Sequence, residues 1–162
     1  MEYFLRAIMS NIWYHLSSAP NLKTVAHSSI DRDGTINPRK PDKSHDEPNI
    51  PRVCLASKVW QCLAGIPKNG KLHIYELETD LPIKAHGTAG DANVDEYWLT
   101  DDQLKSEIPL LYRGFINLNN ELYLAITCLS NVENPKYGIL NNPDCWNITD
   151  DGEWLFFQEY SK

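Results

Sequence analysis

The first apolar run, Asn11 to Ser17, concentrates β-forming side chains in Ile12, Trp13, Tyr14 and Leu16, which predicts a strand. It stops at Ser17-Ser18-Ala19-Pro20. From Thr24 to Pro51 the pattern dissolves into a long polar stretch with Pro38, Pro41, Pro48 and Pro51. Loops of this length inside a compact domain are uncommon and usually functional or mobile, so the stretch reads as an active-site or partner-binding loop. Arg52 to Ala56 is a short buried strand, and Ser57 caps a helix whose apolar stripe is Val59, Trp60, Leu63, Ala64 and Ile66. Pro67 and Asn69-Gly70 end that helix. Leu72, Ile74, Tyr75 and Leu77 fit the next strand, Ala85 to Asn93 a Gly-containing loop, and Glu96 to Leu99 another strand. Thr100-Asp101-Asp102 signals a short helical turn through Lys105. Leu110–Ile116 and Glu121–Leu129 predict a hairpin about Asn119-Asn120, and Asp150-Asp151-Gly152 precedes a last strand, Trp154 to Tyr160. One clear helix among six or seven strands predicts an α+β fold: a compact, mainly antiparallel twisted sheet assembly with one or two short helices.

Length and composition agree with this. The chain has 162 residues, 42% hydrophobic and 23% charged, which suits a single globular domain over 1–162 and excludes wholesale disorder. No window approaches the ~18 apolar residues of a membrane span. The opening MEYFLRAIMS has neither a basic n-region nor an apolar h-region, so the expectation is a soluble protein of the cytoplasm, without a membrane partner. The net charge of −7 argues against a phosphate-backbone binder and leaves a basic protein target open, so no direct nucleic-acid binding is expected. Acidic groups cluster at Asp91/Asp95/Glu96, Asp101/Asp102 and Asp150/Asp151/Glu153.

Common catalytic signatures are missing: there is no GxSxG, Walker A, HExxH or GxGxxG. Cys54, Cys62, Cys128 and Cys145 have no CxxC spacing, and the five histidines are scattered, so no metal site is expected. An ordered set of fragments remains. Tyr14-His15-Leu16-Ser17-Ser18 is an early strand carrying a histidine, Arg52-Val53-Cys54-Leu55-Ala56-Ser57 a strand feeding a helix, and Val94-Asp95-Glu96-Tyr97-Trp98-Leu99 a strand opened by acids.

In this order, over roughly residues 12 to 115, the fragments resemble the ADP-ribosyltransferase fold. They look most like its diphtheria-toxin-type, rifampicin-transferase and RNA 2′-phosphotransferase branches. The chain is also similar to small proteins of phages and mobile elements. The resemblance implies NAD as substrate, with His15 orienting its adenosine-side ribose and Glu96 holding the nicotinamide ribose. A carboxylate beside the developing oxocarbenium charge is effective electrostatic catalysis, which makes Glu96 the candidate catalytic residue. Tyr14, Ser17 and Arg52 belong to the same strands and join the candidate binding set, with Arg39 and Lys40 placed to grip a pyrophosphate. The family's stacking tyrosine falls near Cys54 or Leu55, so Trp60 or Tyr97 is left to supply the ring. Two functions follow as expectations: transfer of ADP-ribose to a macromolecular target, or an acidic, catalytically inactive protein of the same fold that inhibits a host or defence protein by binding. The RNA 2′-phosphotransferase branch needs a basic groove, and this chain carries only isolated Arg and Lys.

Overall fold

The computed structural model describes residues 11–41, 48–63, 69–85, 96–122 and 146–156. Its main sheet is organised on β5 (Gly70–Glu78), a nine-residue strand with buried apolar side chains on both faces. β1 (Ile12–Ser17) pairs antiparallel along one edge, from Ile12 opposite Glu78 to Ser17 opposite His73. β9 (Leu111–Leu118) pairs antiparallel along the other. Between Ile74 and Tyr75 the register slips: Ile74 faces Gly114, Tyr75 faces Tyr112, and Arg113 is the extra residue. Such a bulge re-aims the side chains around it. Tyr112 joins the Tyr75 side of the sheet, while the Arg113 guanidinium lies 2.8 Å from the Glu76 carboxylate. Gly114 at φ +120° is required here, because a Cβ would come within 2.2 Å of the Gly152 carbonyl oxygen.

The two faces of this sheet bury separate cores. On one, Leu16, Leu72, Ile74, Ile116 and Leu118 meet Val59, Trp60 and Leu63 of a short helix, α1 (Val59–Leu63), together with Trp146. Each fully buried Leu or Ile contributes roughly 1.5–3 kcal/mol of transfer free energy. Trp146 comes from β10 (Trp146–Ile148), which pairs antiparallel with β11 (Trp154–Phe156). On the other face, Trp13 and Leu77 meet Val53, Leu55 and Leu99 from a second antiparallel sheet. That sheet has the order β4 (Arg52–Leu55), β7 (Tyr97–Thr100), β6 (Ile83–Lys84). β1 links the sheets, since Tyr14 and Ala56 exchange backbone hydrogen bonds of 2.8 and 3.1 Å.

Two expectations need correcting. Thr24–Pro51 is not a continuous loop. It contains β2 (Thr24–Val25) and β3 (Thr35–Ile36), which pair in parallel, and β2 also pairs antiparallel with β8 (Ile108–Pro109). Thr24, Val25 and Ala26 are buried, and the Asn37 side-chain amide donates to the carbonyls of Ala26, His27 and Ile30 at 2.8–3.1 Å. Residues 120–122 are helical where a turn and the start of a strand are expected, and the Leu122 N–H donates to Asn119 Oδ1 at 2.8 Å; the rest of that expected strand lies outside the described residues. The turn after β7 is a single 3-10 turn, Asp101–Gln103, with Thr100 N–H and hydroxyl both donating to Gln103 Oε1. Ala64, Ile66 and Pro67, most of the Ala85–Asn93 loop, most of the Glu121–Leu129 strand and residues 157–160 of the last strand lie outside the described residues.

The described architecture is thus α+β: small, mostly antiparallel sheets with a few short helical pieces. Among the described residues, no helix is long and apolar enough to cross a membrane.

Candidate functional site

A cavity of about 360 Å³ lies where the end of β1, the segment that follows it, β3 and β4 converge. His15 and Ser17 reach it because they share a face of β1, two residues apart. Arg52 and Cys54 reach it from β4 in the same way. Arg39 completes the charged lining, and Ala19, Leu22, Thr35, Ile36, Asn37 and Val53 supply the rest of the wall.

His15 Nδ1 lies 2.9 Å from the Cys54 carbonyl oxygen. A carbonyl can only accept, so Nδ1 carries the hydrogen, and the neutral ring keeps its lone pair on Nε2. Burial lowers the His15 pKa below the ordinary histidine value, with the Cys54 carbonyl acting in the opposite direction. The ring is therefore neutral at pH 7, a hydrogen-bond acceptor at Nε2. Ser17 Oγ accepts from the Ala19 N–H at 3.1 Å, which fixes the chain as it leaves β1.

The two arginines are joined through their backbones: each N–H donates to the other's carbonyl, at 3.1 and 2.9 Å. Their side chains differ in role. Arg52 is buried, donates to the carbonyls of Pro48 at 2.8 Å and Ile50 at 3.4 Å, and holds its guanidinium carbon 4.0 Å from the centre of the Trp98 ring. Its charge is engaged with the protein. Arg39 is exposed, so its guanidinium is the solvent-facing cation at the cavity wall.

Cys54 reaches solvent, yet stands deep among protein atoms, and its thiol is pushed up to about 12. Desolvation is the main cause, the Glu96 carboxylate adds to it, and Arg52 works against both. Such a thiol is protonated at neutral pH and is a poor nucleophile. Glu96 also accepts from Trp98 Nε1 at 3.2 Å. His15 and Glu96 thus border the same residue from different directions. In a strand the carbonyl lies in the sheet plane and the side chain stands out of it, so His15 meets the backbone of Cys54 and Glu96 its thiol.

Of the nine residues singled out in the sequence, His15, Ser17, Arg39 and Arg52 line one cavity, while Lys40, exposed beside Arg39, is not part of the lining. Glu96 lies behind Cys54 and is not part of the lining. The other three lie elsewhere. Tyr14 faces the opposite side of β1, where burial and the Glu76 carboxylate raise its pKa. Trp60 is buried in the first core, and its Nε1 has no partner among the described residues. Tyr97 packs its ring 4.4 Å from that of Trp13, with Lys84 Nζ 5.0 Å from its centre. Sequence reasoning missed Ala19, Leu22, Thr35, Ile36, Asn37 and Val53 as wall residues. The only available signal was the turn chemistry of Ser17 to Pro20 and the length of the polar stretch that follows.

Among the described residues, no group of three or more His, Cys, Asp or Glu side chains is placed to hold a metal ion. No family model, curated protein or solved structure matches the chain.

Proposed function

We propose that this protein binds NAD or a related nucleotide in the cavity between β1 and β4, as an ADP-ribosyltransferase-like protein. The observation that carries the reading is that His15, Ser17, Arg39 and Arg52, drawn from three separate stretches of sequence, line a single cavity. Its volume of 360 Å³ is at the lower end of the ~300–1,000 Å³ usual for ligand sites, so it takes one nucleoside-phosphate half and leaves the rest outside. His15 Nε2 offers an acceptor for a ribose hydroxyl. Arg39 offers the cation for a phosphate, and Arg52 adds positive field while staying bound to the protein.

Turnover makes a stricter demand. Glu96 would have to stand within a few ångströms of the anomeric carbon, and its carboxylate is turned to Trp98 and Cys54. Nucleotide binding is therefore the better supported half of the reading. Calorimetric titration with NAD, run beside a nicotinamide-release assay, tests both halves. Arg39→Ala is expected to weaken binding, and Glu96→Gln to remove any release while leaving affinity unchanged. Absence of NAD binding at millimolar ligand overturns the reading.

A second reading, an acidic binder of a basic protein target such as a host or defence protein, is favoured by the exposed carboxylate of Asp80 next to apolar side chains: Leu81, just before β6, and Ile83, its first residue, are 43% and 42% exposed. Of the acidic clusters, Asp101 already accepts from the Ser28 N–H and hydroxyl, whereas Asp102 and Asp150 remain exposed. This reading expects association that weakens steeply with salt.

A further inference from the structure

The antiparallel register of the main sheet lays out two cross-strand rows on the face that opens into the cavity. One row is His15, Tyr75, Tyr112, and the other is Ser17, His73, Phe115. The β1 members, His15 and Ser17, line the cavity. The β9 members stand at the far end, and there the face is open: Tyr112 is 50% exposed and Phe115 partly so. The rings at this end hold one another. His73 and Tyr75 each place a ring centre 5.7 Å from that of Tyr112, and His73 Nδ1 lies 3.0 Å from the Tyr112 hydroxyl. Lys71 Nζ sits 4.0 Å from the centre of the Phe115 ring.

A large ring that is half exposed and still fixed by its neighbours presents a planar apolar surface at little further entropic cost. We propose that this open end is a stacking shelf for the base of the nucleotide whose sugar-phosphate part occupies the cavity, with Tyr112 and His73 as the receiving rings. The shelf rests on the nucleotide reading above and supplies the ring that neither Trp60 nor Tyr97 brings to the site. Desolvation and the neighbouring Lys71 hold the His73 pKa below the ordinary histidine value, so the ring stacks uncharged at neutral pH. A single nucleotide fits better than a nucleic-acid strand. Lys71 is the cation at the shelf, Asp151 lies near enough to act on it, and Glu153 accepts from Asn117 in the next row of the same face. With a net charge of −7, this surface lacks the run of cations that a polyphosphate backbone requires.

The test is titration of the full chain with NAD, adenosine and ribose 5-phosphate, following affinity and the ring proton signals of His73 and Tyr112. NAD and adenosine are expected to shift both sets of signals, and ribose 5-phosphate neither. Tyr112→Ala is expected to weaken NAD about tenfold, as loss of one stacked base does, with ribose 5-phosphate unaffected and Tyr112→Phe close to wild type. Equal NAD affinity in wild type and Tyr112→Ala overturns the shelf and leaves the cavity reading standing. Adenosine shifts that Tyr112→Ala abolishes, with NAD affinity indifferent to Arg39→Ala, keep the shelf and overturn the cavity reading. No response to NAD or adenosine overturns both, and tighter binding of a single-stranded oligoadenylate than of NAD overturns the choice of a single nucleotide.

Discussion

On one face of β1, Tyr14 and Leu16 pack toward α1 and β10 in a core built mainly of apolar side chains; on the other, Trp13 is buried while His15 and Ser17 open on a cavity. The strand alternates in the same way for both. What differs is the surface set against each face. α1 offers Val59, Trp60 and Leu63, all apolar. Across the other face, β4 turns Val53 and Leu55 to the core, and its Arg52 and Cys54 line the cavity with polar groups of their own. Alternation assigns a residue to a face; the partner element decides whether that face is closed.

This contrast can be broken most severely at the bulge that re-aims β9. Gly114→Ala adds a Cβ against the Gly152 carbonyl at positive φ, and a loss above ~3 kcal/mol, or no folded protein, is expected in urea unfolding. Gly70→Ala, at φ +128° with nothing within 4 Å, is expected to lose only the backbone strain, about 1–3 kcal/mol. The two faces of β1 are compared directly by neighbouring truncations. Leu16→Ala is expected to cost roughly 2–5 kcal/mol. His15→Ala, which removes one hydrogen bond at a cavity wall, is expected to cost about 0.5–1.5 kcal/mol. Equal losses would show the cavity face to be as tightly packed as the core.

A smaller effect should appear with pH. Burial lowers the folded-state pKa of His15, so the unfolded chain binds its proton more readily. Stability is then complete above the unfolded value of about 6.5 and falls as pH drops from there toward the folded-state pKa. His73 shifts in the same direction. His15→Asn is expected to flatten the dependence of the urea midpoint between neutral pH and pH ~5, with the remaining slope owed in part to His73. The smallest effect concerns Cys54. Its alkylation by iodoacetamide at mildly alkaline pH is expected to be far slower than in the unfolded chain, and Glu96→Gln, which removes a charge opposing the thiolate, is expected to speed it modestly.

The strands with dense β-forming or buried apolar side chains were legible from sequence: β1, β4, β5 and β7 lie where the pattern put them, and α1 begins after Ser57. β2 and β3 were not. Each is two residues long, and their pairing is parallel, so they have no local period to read and depend on β8, more than 80 residues on from Thr24 in its bond to the Ile108 carbonyl (|i−j| = 84). At Asn119-Asn120 the ambiguity is local: asparagine serves both turns and helix caps, and here Asn119 caps residues 120–122. At the site, the order of His15, Ser17, Arg39 and Arg52 along the chain was visible, and so was the placement of Glu96 at the head of a strand, one residue before β7 begins. Which way Glu96 faces depends on the register of β7 against β4, a property of two strands rather than one.

The Tyr75 hydroxyl donates to the Ala19 carbonyl at 2.7 Å and accepts from the Leu22 N–H at 3.3 Å. Both partners belong to the cavity wall, and Tyr75 itself is fully buried in the central strand. The wall is thus riveted to the sheet from below, and its loss of freedom is settled when the chain folds rather than when a ligand arrives. A nucleotide of the proposed kind would meet a mould already set. Its association should therefore carry little penalty from ordering the protein, and Tyr75→Phe should loosen Ala19 and Leu22 while leaving His15, Ser17, Arg39 and Arg52 in place.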